Sequence, residues 1–516
     1  MLRYTIFLLS SLFLFAACEQ AEAPPENRLG DAHLATSGDE AALPHFEKGL
    51  LLLHSFEYED ARVAFVKAQE ADPDFAMAYW GEAMTHNQPI WHRQQYEEGQ
   101  AALSKLGDTP EARLAKAETE LEKDLLKAAE ILFGEGEKVE RDKAYADYLA
   151  DLHNKYPENQ EVAAFYALSL LGAVPVGRDE EAYEQGAAIA QGILKENPRH
   201  PGALHYLIHS YDDPGHARLA LEAANSYAKV APDAAHALHM PSHIYVAMGM
   251  WDEVIASNIA SYDASVKRME EKDLTNDARS YHAFHWLLYG YTQKGNTDKV
   301  IDILQKMVQY TEEQPSKTAR AYLVRMKGNF LVETQRWGHE LAATEVDLEG
   351  LNISHQAVGH FLEGMQAYRS AEPAKLSAII DTLSSKRQQA AMGMTNEGIP
   401  LCSAGGSFGQ PNRVEVGQAE VMELELKALL ARLQGEEQKA EALMQQAVAK
   451  QDGLNYSYGP PEIVYPAYEF YADYLVEQGR YEEALKQYER ALDRGPGRRR
   501  ALAGKERAEQ ENHHSL

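Results

Sequence analysis

Twenty histidines stand in this chain of 516 residues, and they crowd between His200 and His285. The runs HPGALHYLIHSYDDPGH, HALHMPSHIYVAMGMW and YHAFHW carry His205 and His209, then His236, His239 and His243, then His282 and His285. Within each run the spacing is three or four residues, which on a helix puts the side chains on one face. Imidazole is the commonest metal ligand near neutral pH, and a histidine pair four apart is the geometry zinc proteases use. The pattern points to a transition metal ion, with His205 and His209 reaching an ion shared with His239 and His243. Asp212 and Asp213 are candidate ligands or acceptors for a ring N–H. Met240, Met248 and Met250 offer thioethers that favour copper(I), but methionine on a helix commonly fills core, so zinc and copper both stay open. A metal-bound water would be a hydrolytic nucleophile, with Asp212, Tyr206, Tyr281 or Glu253 as acid or base. Against such an enzyme, the chain has no HExxH. Without metal, the same histidines could hydrogen-bond a peptide or acidic partner, or pack as structural residues.

Helix pairs must position these side chains. Ala, Leu, Glu, Lys and Gln dominate, with 45% hydrophobic and 25% charged residues, as in a soluble helical protein. Gly49, Ala61, Phe65, Ala68 and Pro73 fit positions 8, 20, 24, 27 and 32 of a tetratricopeptide (TPR) repeat, and Ala472, Ala484, Tyr488, Ala491 and Pro496 fit them again. Small residues let the two helices of a pair approach closely, and the proline ends the second helix. The expected fold is all-α, a right-handed superhelical solenoid of such pairs. Pairs are drawn at 43–71, 76–106, 160–196, 201–230, 235–266, 281–310, 319–346, 355–387, 416–449 and 465–495, with 108–157 helical but off-period. The expected divisions are a TPR array over 43–392, a Gly-rich loop over 393–414, further repeats over 415–504 and a polar tail over 505–516.

Counted from Ala220, Val254 and Val300 at position 20, His205 and His209 are positions 5 and 9. His236, His239 and His243 are positions 2, 5 and 9 of the next repeat, and His282 and His285 are positions 2 and 5 of the one after, with Tyr289 at position 9. In TPR proteins that face lines the concave groove, so the seven histidines are expected to converge there. Pro241 falls at position 7, inside a first helix, where it removes a backbone bond at about 3 kcal/mol and turns the freed Ala237 carbonyl towards the histidines. Trp80 and Met84, at positions 5 and 9 after Pro73, form a second line along the groove, as wall or as ligand platform.

The first residues carry a targeting pattern: Arg3, an apolar stretch from Ile6 to Phe15, then Ala16 and Ala17 before Cys18. Small residues before a cysteine resemble the lipobox of bacterial lipoproteins, with Phe15 departing from the usual leucine. That resemblance implies a signal peptide over 1–17, lipidation of Cys18 and a membrane anchor facing the periplasm. Glu19 in place of aspartate leans towards the outer membrane. Residues 18–42, polar with Pro24, Pro25, Gly30 and Gly38, read as lipid anchor and flexible tether. Cys402 is then the one remaining thiol. A net charge of −29 argues against nucleic acid. Arg494, Arg498, Arg499 and Arg500 read as cations at the end of the last helix pair.

The blocks DPDFAMAYWGEAMTHN (72–87), YPENQEVAAFYALSLLG (156–172), HPGALHYLIHSYDDP (200–214) and HALHMPSHIYVAMGMW (236–251) resemble those of bacterial extracytoplasmic TPR proteins with an HxxHMPSHI signature. The resemblance spans most of residues 43–505. It implies the fold, a histidine-lined site and a protein or peptide partner in the cell envelope, rather than an activity.

Overall fold

The computed structural model describes residues 28–394 and 410–515. The signal peptide, Cys18, Cys402 and most of the Gly-rich loop lie outside the described residues. Helices follow one another in antiparallel pairs: Leu43–His54 with Tyr58–Ala71, Gln160–Gly172 with Glu180–Glu196, Pro201–Ser210 with Leu221–Val230, Tyr281–Gln293 with Thr297–Glu313. The pattern residues do what their size predicts. A Cβ added at Gly49 would come within 2.8 Å of the Phe65 ring, and one at Gly504 within 2.4 Å of Tyr488. Off-period residues 108–157 form helices Pro110–Leu114, Glu120–Leu132 and Lys138–Lys155. Thr119 and Glu122 start the second of these with a reciprocal capping box.

Three expectations are corrected. The pair drawn at 319–346 has only its first helix, Lys317–Thr334; Gln335 turns left-handed (φ 55°), and the chain then makes only a short 3-10 turn over Glu340–Ala343. Gly338, Gly350 and Asn352, with β-branched Thr344 and Val346 between, are poor helix formers, so the chain there stays irregular. Residues 28–42 are docked rather than free. Leu29 and Leu34 are buried, Asp31 pairs with Arg199, and Ser37 donates to Glu122. Arg494 does close the last turn of Tyr481–Arg494, but Arg498 and Arg500 are not helix-end cations. Residues Arg499–Ser515 form a further helix, which includes most of the expected tail, and Arg498 at its start is buried. Arg498 pairs with Glu333 at 2.7 Å and Glu469 at 2.6 Å, while Arg500 pairs with Asp473.

These arginines bring the end of the chain back onto the middle repeats. Trp251 Nε1 donates to the Gly497 carbonyl, 246 positions away, and the Arg499 amide donates to Gln293. Segment 453–466 crosses behind the histidine helices: a Cβ at Gly459 would come within 2.2 Å of Trp286. The histidines therefore lie deep in the array.

Candidate metal centre

Pro201–Ser210 carries His205 and His209. Pro241 does not sit inside the next helix but divides it, giving Ala235–His239 and Pro241–Ala247. As the first residue of the second piece it loses no bond that a helix start would have made. His239 and His243 stand on either side of the break, and His282 comes from the start of Tyr281–Gln293.

The seven histidines do not form one group. His239, His243 and His282 make one triad, and His205, His209 and His236 another. In the first, the Nε2 atoms of His239 and His243 are 3.1 Å apart, and those of His282 and His239 are 2.9 Å apart. His239 Nδ1 lies 2.7 Å from Asn258 Oδ1, while the Asn258 amide nitrogen donates to the Val254 carbonyl. That leaves Oδ1 as the acceptor and fixes the proton of His239 on Nδ1. His243 Nδ1 lies 2.5 Å from the Asp212 carboxylate, which fixes its proton likewise. The Nε2 atoms of His239 and His243 thus turn their lone pairs towards each other at 3.1 Å. That contact is repulsive unless a cation lies between them. Burial holds His239 down at about 3 and His282 well below the ordinary imidazole value, so a proton is disfavoured in that role. Tetrahedral zinc with nitrogens at 2.0–2.1 Å needs them roughly 3.3 Å apart. Trp286 floors the triad, its ring 4.8, 4.6 and 5.4 Å from those of His239, His243 and His282.

The other expected site residues are spread more widely. Asp212 serves the triad as described, but Asp213 turns away, accepting from His216 Nδ1 at 2.8 Å and pairing with Arg178. His285 stands apart, with Nε2 on Asn329 Oδ1. Tyr289 accepts from Arg498 and packs edge-on against Trp251. Trp80 is buried edge-on against Phe165, and Met84 lines a small cavity beside Phe56 and Tyr58. Met240 is core, and Met248 and Met250 pack at its edge.

Sequence reasoning missed Asn258, Trp286, Phe56 and a third buried group, His54, Glu161 and His200. Trp286 and His200 stand within the histidine runs themselves, but Asn258, Phe56, His54 and Glu161 lie outside them, and only the fold brings those there. The third group is not built for a metal. His200 Nδ1 accepts from the Ala203 amide, which can only donate, so its proton is on Nε2 facing Glu161 at 3.2 Å. His54 likewise points Nε2 at Glu161, at 2.7 Å, and its Nδ1 meets the Tyr206 hydroxyl. Burial pushes Glu161 up, but the two rings outweigh it and hold its carboxyl far below the usual range. The network is a buried ion group, in which His200 Nε2 and Glu161 Oε1 meet as an ion pair without an aligned hydrogen bond.

A groove of about 380 Å³ opens over the centre, lined by His236, His239 and His282 with Trp91, Tyr58 and Tyr322 at its sides. No described helix is long and apolar enough to cross a membrane.

Comparison with known proteins supports the repeat. A tetratricopeptide repeat family model matches residues 466–508. No curated protein matches the sequence. Among solved structures, the TPR domain of P58(IPK) is 13% identical over 92% of this chain and 99% of its own (TM-score 0.22). Yeast Tom70 is 12% identical over 92% and 90% (0.28), and a human IFIT1 dimer with m7Gppp-AAAA is 12% identical over 92% and 96% (0.35). At those scores the likeness carries no argument; the helix pairs and the matched repeat do. This chain is an all-α protein of stacked helix pairs that carries a tetratricopeptide repeat.

Proposed function

We propose that the protein is a lipid-anchored TPR scaffold of the cell envelope that holds a zinc or copper ion on His239, His243 and His282 and docks a protein or peptide partner over it. The observation that carries the metal is the pair of fixed tautomers, which turns two lone pairs and a third Nε2 towards one point. Neutral imidazole is the ligand form, and each ring is held from behind as in established metal sites. All the donors are imidazole, which suits zinc and copper alike. The anchor is supported by Arg3, the apolar stretch and Ala16-Ala17-Cys18, and the envelope by the extracytoplasmic resemblance. Aromatic Trp91, Tyr58 and Tyr322 along the groove suit a peptide segment.

The test is elemental analysis of the full-length chain, purified in detergent without chelator or polyhistidine tag, beside His239→Ala/His243→Ala. Metal present in the parent and lost from the variant supports the proposal. No metal in either, after zinc and copper(I) are supplied, moves the function to a metal-free peptide scaffold.

A hydrolase is the second reading, favoured by one observation: a three-imidazole set beside a groove leaves a coordination position for water. Zinc-dependent cleavage of an activated ester or phosphate ester by the parent, absent from the variant, would support it.

A further inference from the structure

We infer that His205, His209 and His236 hold a second metal ion, so that the centre is dinuclear, one ion at each of two successive repeat boundaries. The inference rests on the proposal for His239, His243 and His282 and extends it to a site with its own residues.

Register comes first. His205 and His209 are positions 5 and 9 of one repeat, and His236 is position 2 of the next. His239 and His243 are again positions 5 and 9, and His282 is again position 2 of the succeeding repeat. The two triads are the same construction made twice. In the third repeat the pattern stops: His285 at position 5 meets Asn329, and position 9 is Tyr289.

The local chemistry repeats as well. His205 Nδ1 lies 2.8 Å from the backbone carbonyl of His54, which can only accept, so the ring proton is on Nδ1 and the Nε2 lone pair is bare. That lone pair faces His236 Nε2 at 3.2 Å. His209 is 4% exposed, and its Nε2 is buried without a hydrogen-bond partner. An unpaired buried nitrogen is costly unless something absent from the protein itself satisfies it. The three ligand nitrogens lie within 4.8 Å of one another. Small ring rotations bring them to the separation tetrahedral zinc requires.

An aromatic floor completes the parallel. Phe56 packs on all three rings, with centroids 4.2, 6.0 and 5.6 Å from His205, His209 and His236, as Trp286 does in the other triad. Phe56 is held at φ 57°, a conformation uncommon for a bulky residue. The triads adjoin: His209 and His243 are 6.1 Å apart between ring centroids, and His236 and His239 are 6.4 Å apart. Paired ions so placed could hold one anionic group of the partner between them, such as a carboxylate.

The experiment is zinc stoichiometry after equilibrium dialysis of the untagged full-length chain and three variants, with circular dichroism confirming the folded state of each. Expected are two equivalents in the parent, one in His239→Ala/His243→Ala and one in His205→Ala/His209→Ala. His236→Ala, altering a half-buried ring at the groove, should also fall to about one and serves if the double variant does not fold. One equivalent in the parent, lost only with His239 and His243, overturns the second ion and leaves the proposed function standing. A single equivalent lost equally from either pair means one shared ion and also overturns the inference. No zinc in the parent removes both proposals together.

Discussion

Asp212 and Asp213 are neighbours in sequence with different tasks, and replacing each in turn isolates the metal site from general stability. Asp212 grips His243 Nδ1 at 2.5 Å, whereas Asp213 caps the turn at Gly215 and His216 and pairs with Arg178. Removing a carboxylate that orients a metal-bound histidine costs 10–100-fold in affinity, about 1.4–2.8 kcal/mol. Asp212→Ala should therefore weaken zinc binding by that factor, and Asn258→Ala, which frees His239, by a similar one. Asp213→Ala should leave affinity within about twofold while lowering the melting temperature, because Asp213 bonds Gly215, His216 and Arg178 and none of the triad rings. The assay is competition against a chromophoric zinc chelator, with thermal unfolding measured on the same samples. Affinity unchanged in both Asp212→Ala and Asn258→Ala, with the fold intact, would show that those bonds serve packing alone and would refute the tautomer argument.

Three further outcomes concern the fold. Arg498→Met leaves Glu333 and Glu469 buried without their cation and should destabilise by about 3–5 kcal/mol in denaturant unfolding; a loss under about 1 kcal/mol would show that the C-terminal helices dock by apolar contact alone. Gly459→Ala drives a Cβ against Trp286 at φ +86° and should cost about 2–4 kcal/mol, while Gly435→Ala, also at positive φ but with open space, should cost roughly 1 kcal/mol; equal losses would sink the claim that segment 453–466 is tightly seated. Burial raises Asp60, but Arg268 and Lys272 outweigh it and leave its carboxyl below the ordinary value of 3.8. A depressed acid stabilises above its unfolded value and loses that contribution as pH falls through the folded one, so Asp60→Asn should cost up to about 1 kcal/mol at pH 7 and progressively less as pH falls below 3.8. A loss that does not shrink as pH falls would mean the charge is not what matters.

Much of the array was legible because helix pairing follows local rules. Small residues at fixed positions, as at Gly49 beside Phe65, are set by the contact they must allow, and that contact lies within one repeat. Where the expectation failed, the deciding contact was distant. Residues 28–42 are polar enough to read as a tether, yet Asp31 finds Arg199 and Ser37 finds Glu122 across the array. Arg498 looks like any helix-end cation until Glu333 and Glu469 arrive from elsewhere in the chain. The histidines were found by spacing, but their grouping was not, since spacing along one helix is blind to what the next helix offers.

That blindness has a geometric cause with a general consequence. Positions 5 and 9 lie on one helix and fix two ligands from a single repeat, but a third ligand must come from outside it. The first helix of the following repeat supplies it at position 2, one turn nearer its start than position 5. Each complete triad therefore spans a repeat boundary, and n stacked repeats of this kind can form at most n−1 triads. With three histidine-bearing first helices the limit is two, and His285 is left without a set because position 9 beside it is Tyr289. The stacking contact that stabilises the solenoid is then the same contact that assembles the ligands. Changes that loosen the helix Trp251–Glu271, whose Asn258 and Ser261 hold His239 Nδ1 and the Ala235 carbonyl, should lower metal affinity before they unfold the chain. Ser261→Ala provides that case: melting within a few degrees of the parent with zinc affinity reduced severalfold is expected, and unaltered affinity would mean the triads are set by their own helices alone.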